Sequence, residues 1–259
     1  MAQSPRSQSL SDDFNANAVS KDQVATFDGQ PRRDTPLTRT IEAAAFLSDH
    51  TIDASTFTIP ATPIFEACAS AFARGTLIST VMGQIAVEDL IPGDLVETHR
   101  GPEPVVWIGS TSYLPHFASD TTSLSYLLRL PGDGMDQSDL LLGPAAHIVV
   151  RQDRFADLLN CDAVLAPASD YIDGDRILRI TPPGSVQLYH FALRRHGIVR
   201  ANGHELESYH PGRVSAAEIG TNVRAMMQSM FKHLDDLDGF GDLAFPRTTR
   251  DVIETLRVA

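Results

Sequence analysis

Histidine is the residue type with the clearest chemical potential in this sequence, which contains nine of them. Four fall between residues 190 and 210: His190, His196, His204 and His210. Imidazole nitrogens bind zinc, but a zinc site needs three or four ligands that converge, and histidines on strands must also share a face. Nothing in the pattern indicates such convergence. We therefore predict no metal and no cofactor, and keep a metal or small-ligand site at His190 and His196 as an alternative.

A second candidate ligand set is the acidic run Asp235–Gly239, which is similar to a calcium-binding loop. With Gly239 at the glycine position of an EF-hand, Leu234 would be the first ligand and Phe245 the twelfth. Neither side chain binds calcium, so this interpretation fails. The sequence also lacks a phosphate-binding glycine loop, a GxSxG elbow and an HExxH helix, and it predicts no hydrolase or nucleotide site of the usual kinds.

The elements that must position these residues are predicted to be strands. From Ala71 to about Tyr209, short runs rich in Val, Ile and Thr are separated by Gly, Pro and Asp. Turn signals about every eight to twelve residues are typical of antiparallel β-structure. The segments Asp139–Arg151 and Val186–Leu193 predict two more strands, and Pro92–Asp94 predicts a turn.

The N-terminal flank has a different composition. Residues 1–38 are rich in Ser, Asp, Gln and Asn, without an apolar period, and we predict a mostly disordered tail over residues 1–60. Within it, residues 39–50 predict a short helix, on which Ile41, Ala44 and Phe46 form a partial apolar stripe.

The C-terminal flank, residues 212–259, is predicted to be a helical extension. Ser215 and Glu218 have the spacing of a capping box, and the following apolar residues fall on one helical face. We expect that face to pack against the β-domain: Ile219, Val223, Met226, Met227 and Met230. A second helix is predicted over Thr248–Leu256.

Composition limits the classes of partner and compartment. Hydrophobic residues make up 42% of the 259 residues, enough for a core, and the formal net charge is −12. That charge argues against nucleic acid and anionic membranes as partners. The start of the sequence lacks the apolar region of a signal peptide, and no run reaches the roughly 18 apolar residues of a membrane span. The default expectation is a cytoplasmic protein, and non-classical secretion would escape this test.

Three blocks of the sequence, in this order, carry a resemblance. AFARGTLIST with AVEDLIPGDLVET and EPVVWIG comes first, DLLLGPAAHIVV second, and LYHFALRRHGIVRANGHELESYHPG third. Together they resemble the bacterial Hint-domain family, which is related to hedgehog C-terminal domains and inteins. The resemblance implies a mainly β Hint fold over residues 61–211. We expect these residues to point inward: Leu77, Ile85, Val87, Leu90, Val96, Val106 and Ile108. Trp107 is expected to be a core anchor rather than a ligand platform.

The resemblance also implies a chemistry, and this sequence departs from it. In the family a Cys or Ser attacks the preceding carbonyl, and a Thr/Ser-x-x-His block protonates the leaving nitrogen. Here the nucleophile position is Ala71, with the family's threonine retained at Thr76. The central block reads Gly143-Pro144-Ala145-Ala146, so the histidine position is Ala146. Both losses predict a centre that does not cut.

Neighbouring residues offer substitutes for the lost groups. Cys68 lies three residues before the nucleophile position, up to about 10 Å along an extended chain. Ser70 and His147 are each one residue away from the lost positions, and a one-residue shift turns a strand side chain to the opposite face unless a bulge intervenes.

The third block keeps polar residues that the resemblance places near the centre. His190 follows Tyr189 where inteins often carry an aspartate, and His196 matches the family's histidine in this block. Both also have structural explanations: His190 as a half-buried strand residue bonded to backbone groups, and His196 as part of a turn. The structural explanation of Glu207 is pairing with a neighbouring arginine such as Arg194 or Arg195. The Asn202-Gly203 pair predicts a turn before the last strand.

Three functions remain, in this order. The first is a degenerate, non-self-cleaving Hint protein that acts as a binding or regulatory module for an unknown protein partner. The second is active self-processing with Ser70 or Cys68 and His147. The third is small-ligand or metal binding through His190 and His196.

Overall fold

The computed structural model describes residues 26–27, 30–31, 37–115, 122–132, 138–212 and 219–258. The chain forms two compact units that divide after Pro36. In the first unit, strand β1 (Thr26–Phe27) pairs antiparallel with β2 (Gln30–Pro31). The remainder of the predicted tail before Leu37 lies outside the described residues, and so does the proposed capping box at residues 215 and 218.

The second unit is mainly β, as predicted. Its described strands are β3 (Thr38–Phe46), β4 (Ile52–Pro60), β5 (Phe72–Ala73), β6 (Leu77–Thr80), β7 (Gly83–Ala86), β8 (Leu95–Thr98), β9 (Gly101–Tyr113), β10 (Leu127–Leu130), β11 (Leu140–Leu142), β12 (His147–Arg151), β13 (Ala163–Pro167), β14 (Leu178–Ile180), β15 (Val186–Leu193), β16 (Ile198–Ala201) and β17 (His204–Glu207).

The long strand β9 connects the two halves of this antiparallel sheet. Its first residues, Gly101–Pro104, pair with β8, whereas Val105–Tyr113 pair with β15. On its other side, β9 pairs with β3 from Trp107 to Thr111. Trp107 is fully buried, as expected of a core anchor, and its indole nitrogen donates to the carbonyl of Met230 at 2.8 Å.

The short helix predicted over residues 39–50 is wrong, and so is the tail boundary at residue 60. Residues 38–60 form a β-hairpin in which β3 and β4 pair along nine residues. Ile41 and Ala45 are buried at a spacing of four, which fits either a helix or one face of a strand. Pairing with β9 decides between them, because β3 covers that strand's open edge.

The predicted strand Asp139–Arg151 is also corrected. It divides into β11 and β12, separated by a turn at Gly143–Ala146. Pro144 has no amide hydrogen for a continuous ladder, and the turn lets the two strands join different parts of the sheet. The strand Val186–Leu193 is confirmed with the predicted bounds.

Most of the predicted inward positions are buried, with one clear error. Leu77 is 37% exposed, whereas its neighbour Ile78 is fully buried. Since strand side chains alternate between faces, only one of the two can enter the core. Ile85 and Val106 are partly buried.

Two predicted turns are confirmed. The amide of Asp94 donates to the carbonyl of Ile91 at 3.1 Å, and Gly93 has φ +106°. Asn202 and Gly203 both have positive φ (43° and 85°) and join β16 to β17, as a two-residue hairpin of the Asn-Gly type requires.

The described helices lie mostly toward the C-terminus: α1 (Pro63–Glu66), α2 (Arg154–Leu159), α3 (Thr221–Met230) and α4 (Arg250–Val258). Helix α3 buries Met227 and Met230 in a cluster with Trp107, while Met226 is 40% exposed. In the described part of the chain, no helix combines the length and apolar character that a bilayer span requires.

Candidate functional site

The predicted nucleophile position and the central block are in direct backbone contact. The amide of Gly143 donates to the carbonyl of Ala71 at 2.8 Å, and that of Ala145 donates to the carbonyl of Ser70 at 3.2 Å. On the other side, the amide of Ala71 donates to Tyr189 of β15 at 3.0 Å. The Ser70–Ala71 peptide is therefore held between all three blocks on which the resemblance rests.

The two positions that the sequence analysis predicts as the nucleophile and histidine positions carry methyl groups at this junction. Ala71 is fully buried and Ala146 is 2% exposed, and both belong to the same apolar cluster. The carbonyl of Ala146 accepts a hydrogen bond from the amide of Ala168 at 2.9 Å, which joins the turn to the residue that follows β13. The positions that sequence reasoning aligned thus lie in one buried place, without an ionisable group on either.

Gly143 makes the closest approach to the Ser70–Ala71 peptide. A Cβ atom built on Gly143 would lie 2.2 Å from the carbonyl oxygen of Ser70 and 2.7 Å from a methyl carbon of Leu188. Real Cβ atoms do not come this close to other heavy atoms. The turn in its present position therefore excludes any side chain at Gly143, including the hydroxyl that the resemblance predicts there.

The two substitute nucleophiles are buried and differ in their contacts. Cys68 is 1% exposed and its thiol donates to the carbonyl of Phe65 at 3.0 Å. Burial raises the pKa of this thiol far above its ordinary value, which disfavours the reactive thiolate. The hydroxyl oxygen of Ser70 is fully buried and has no hydrogen-bond partner among the described residues.

His147, the substitute for the lost histidine, is fixed through one ring nitrogen. Its Nδ1 lies 3.1 Å from the carbonyl oxygen of Ala145 and 3.1 Å from Oε2 of Glu207. The side chain is 22% exposed. Burial lowers the pKa of His147, while the carboxylate of Glu207 opposes that shift.

Glu207 is the centre of a buried charge cluster. Oε1 lies 3.1 Å from Nε2 of His196 and 2.9 Å from Nε of Arg247, and Oε2 accepts from Arg247 at 3.1 Å. Burial opposes ionisation of Glu207, but the hydrogen bond from His196 and the charges of Arg247 and His147 outweigh it. Together they lower the pKa of Glu207 to about 2. The predicted pairing with Arg194 or Arg195 is wrong: Arg195 pairs with Glu103.

His196 connects this cluster to the C-terminal extension. Its Nδ1 accepts from the amide of Ala244 at 2.8 Å, so the ring proton lies on Nε2, which faces Glu207 and the carbonyl of Ser208. The ring therefore joins two segments as well as lying at a turn.

His190 is buried more deeply than the half-buried strand residue that we predicted. It is 4% exposed, and Nδ1 donates to the carbonyl of Ala67 at 2.9 Å. Nε2 is buried without a hydrogen-bond partner among the described residues. Burial lowers the pKa of His190 to about 4, so the ring is neutral near pH 7.

Thr76 has a local structural contact. Its hydroxyl donates to the carbonyl of Ala73 at 2.7 Å, and it closes the turn that contains Gly75 at φ +85°. This turn connects β5 to β6 and sets the direction in which the chain leaves the Ser70–Ala71 junction.

The other two histidines of the metal hypothesis also form internal hydrogen bonds. His204 bonds to the carbonyl of Pro131, and His210 bonds to Gly241 and Gly212. Within the described ranges, no group of three His, Cys, Asp or Glu side chains is placed to hold a metal ion.

Sequence reasoning missed Arg247, which is the charged partner of Glu207. It lies forty residues from Glu207 in a segment without a motif. The available signal was indirect: a buried carboxylate needs a cation, and Arg194 and Arg195, which the sequence analysis considered, are exposed at the β15–β16 turn.

Comparison with known proteins finds solved structures with a partial likeness and one matching family. No curated protein matches the chain. Among solved structures, the solution structure of a bacterial intein-like domain from Clostridium thermocellum is 16% identical, covers 54% of this chain and 99% of that chain, and has a TM-score of 0.38.

The model of the family described as the Hint domain matches residues 70–213, which is more than half of the chain. The match begins at the Ser70–Ala71 junction and ends just beyond the last residues of the third block. This protein belongs to the Hint domain family.

Proposed function

We propose that this Hint domain folds without cutting its own chain and acts as a binding or regulatory module for a protein partner. One observation carries the proposal. The Ser70–Ala71 peptide is hydrogen-bonded to the Gly143–Ala146 turn, yet both aligned reactive positions carry methyl groups. The backbone hydrogen bonds around the centre are formed, but the side chains that cleavage requires are missing.

The missing chemistry consists of two groups. Peptide cleavage by acyl shift needs a nucleophile with a lone pair at position 71 and a proton donor for the departing nitrogen. A methyl group supplies neither. Gly143 adds a third obstacle, because its close contact with the carbonyl of Ser70 excludes a hydroxyl side chain there.

The substitute groups do not replace these functions in the described arrangement. Cys68 is protonated and bonded to Phe65, and the peptide that it would attack, Ala67–Cys68, lies within the 3₁₀ turn Ala67–Ala69 rather than at the Ser70–Ala71 junction. Ser70 has no base bonded to its hydroxyl. His147 directs Nδ1 at Glu207 and Ala145 rather than at the Ser70–Ala71 nitrogen.

The first test is the intact mass of the purified protein, followed over days with and without a thiol or hydroxylamine. We expect a single species at 28.2 kDa under every condition. Fragments that end at or next to Ser70 would contradict the proposal and support self-processing.

The second test restores the missing groups by Ala71→Cys with Ala146→His, in a Cys68→Ser background. The new thiolate would attack the carbonyl carbon of Ser70. The Ser70–Ala71 C–N bond would break as the new imidazole protonates the nitrogen, leaving a thioester that hydroxylamine cleaves. We expect cleavage in the double variant and less in either single variant. Cleavage of the unaltered chain at the same rate would overturn the proposal.

A further inference from the structure

Strand β4 forms one edge of the sheet. It pairs with β3 from Thr38↔Pro60 to Phe46↔Ile52, and in the described part of the chain no strand lies along its other side. Nine consecutive residues therefore present an edge whose amide and carbonyl groups are available to another strand.

This edge lacks the devices that usually prevent edge-to-edge pairing. Its register with β3 is continuous, without a bulge. The strand, IDASTFTIP, contains no lysine or arginine, and its only proline is the last residue. Its single charge, Asp53, is paired with Lys232 at 2.9 Å. Because side chains project from the faces of a strand, the contact between Asp53 and Lys232 lies on a face of β4 and not along its edge.

The strand is also complementary to itself. In an antiparallel pair centred on Thr56, Thr56 faces its own copy, Ser55 faces Phe57 and Asp53 faces Ile59. No like charges oppose each other, because the two Asp53 residues lie six positions apart, about 20 Å along the strand. Antiparallel partners share a face, so the exposed side chains of Ala54 and Thr56 would continue onto the second copy.

We propose that β4 pairs with β4 of a second copy of this chain, forming a twofold dimer through a continuous sheet. A twofold axis at Thr56 makes the contact closed, since each edge is used once. This dimer does not depend on whether the centre cuts, and the measurements below are independent of cleavage.

The test is the mass in solution, measured by light scattering and sedimentation equilibrium from low to high micromolar concentration. We expect a species of twice the chain mass of 28.2 kDa. A single-chain mass throughout would overturn the proposal, including the case in which residues before Leu37 or another protein occupy the edge.

Thr56→Lys separates edge pairing from general damage. In one chain the new lysine is exposed and faces Glu42 across the β3–β4 pair, but across the twofold axis two lysines would face each other. We expect the dissociation constant to rise at least about tenfold. Thr40→Lys, exposed on the inner strand β3, is the matched control and should leave it unchanged. Equal effects of both variants would overturn the assigned edge.

Cross-linking provides a second measurement with a fixed geometry. Opposed residues of antiparallel strands have Cα separations of about 4.5–5.5 Å, within the range of a disulfide. Thr56→Cys in a Cys161→Ser background should form a disulfide-linked dimer on mild oxidation, whereas Thr40→Cys should not. Failure of Thr56→Cys to cross-link faster than Thr40→Cys would contradict pairing at Thr56.

Discussion

Two regions that lie side by side in this molecule differ in the groups that make their contacts. At the Ser70–Ala71 junction the contacts with the Gly143–Ala146 turn are backbone hydrogen bonds, and the two predicted reactive positions carry methyl groups. Around Glu207 the ionisable side chains are all present, and they bond to each other and to the C-terminal extension.

The polar residues around Glu207 have structural partners beyond the matched family region. Arg247, outside the matched family region, occupies both oxygens of Glu207. His196 accepts a hydrogen bond from Ala244 and has its other nitrogen at Glu207. These groups join the C-terminal extension to strands β15–β17. Their removal should therefore lower the stability of the fold, whereas substitutions at Ala71 should alter cleavage.

The largest effect is expected at Glu207. Glu207→Gln leaves Arg247, whose side chain is 27% exposed, beside a neutral amide. The change should lower the free energy of unfolding by about 3 kcal/mol, the lower end of the range for breaking a buried ion pair, because water still reaches the guanidinium. Urea unfolding at pH 7.5 measures it, with Glu97→Gln, at an exposed carboxylate of β8, as the control. A loss no larger than that of the control would show that the cluster contributes nothing to folding.

The second effect is the acid sensitivity caused by buried neutral histidines. Burial lowers the pKa of His190 from 6.5 to about 4. Below pH 6.5 the unfolded chain therefore binds a proton that the folded chain does not bind. Stability is therefore full above pH 6.5 and falls toward pH 4, by up to about 3 kcal/mol for this residue. Glu207 contributes stability at a lower pH, because its pKa is lowered from 4.5 to about 2 in the folded chain. That contribution is full above pH 4.5 and is lost as the pH falls toward 2.

Urea unfolding of His190→Gln between pH 7.5 and 4.5 isolates this contribution, because the amide does not titrate there. We expect a shallower fall of stability with pH than in the unaltered chain, whatever the absolute stability of the variant. Since burial also lowers the pKa of His210 and His233 to about 4, part of the fall should remain. Parallel curves for both proteins would show that His190 is not buried in its neutral form.

A third, smaller effect is expected at Gly143, where the backbone of the turn contacts the carbonyl of Ser70. Gly143→Ala introduces a Cβ against the carbonyl of Ser70 and should cost about 1–3 kcal/mol as overpacking. Gly184→Ala is the matched control, because a Cβ there meets nothing within 4 Å. Thermal unfolding of the two variants should differ clearly. Equal midpoints would mean that the turn is not pressed against Ser70.

The smallest effect is a pair of opposed shifts at His147. Arg247 lowers the pKa of His147 and Glu207 raises it. Arg247→Met should therefore raise that pKa and Glu207→Gln should lower it, both read from NMR titration of the ring protons. Arg247→Lys retains the charge and should shift it least. Shifts of the same sign in Arg247→Met and Glu207→Gln would contradict a shared carboxylate.

The sequence predicted those features that depend on local chemistry. Alternating apolar runs predicted β15, and the Asn202-Gly203 pair predicted the β16–β17 turn, because period and turn residues act within a few positions. The neighbouring positions of Ala71 and the Gly143–Ala146 turn were implied by the three blocks of the resemblance. Whether those positions once carried catalytic groups remains a prediction.

The errors arose where distant contacts decide the structure. Ile41 and Ala45 fit a helix or a strand equally well by spacing, and only pairing with β9 makes them a strand. Arg247 has no local signal for Glu207, since their contact is made by the return of the extension onto β13, where Leu165 bonds to Pro246 and Thr248. Such tertiary pairings are not encoded in the period of either segment.

The hairpin β3–β4 has one consequence for any experiment that restores cutting. Residues before the Ser70–Ala71 bond are attached to the remainder by the β3–β9 ladder and by the burial of Phe65, Cys68 and Ala69. A nick at that bond would therefore leave two polypeptides that travel as one particle. Native gels and gel filtration would report an uncut protein, and only separation under denaturing conditions would reveal the break.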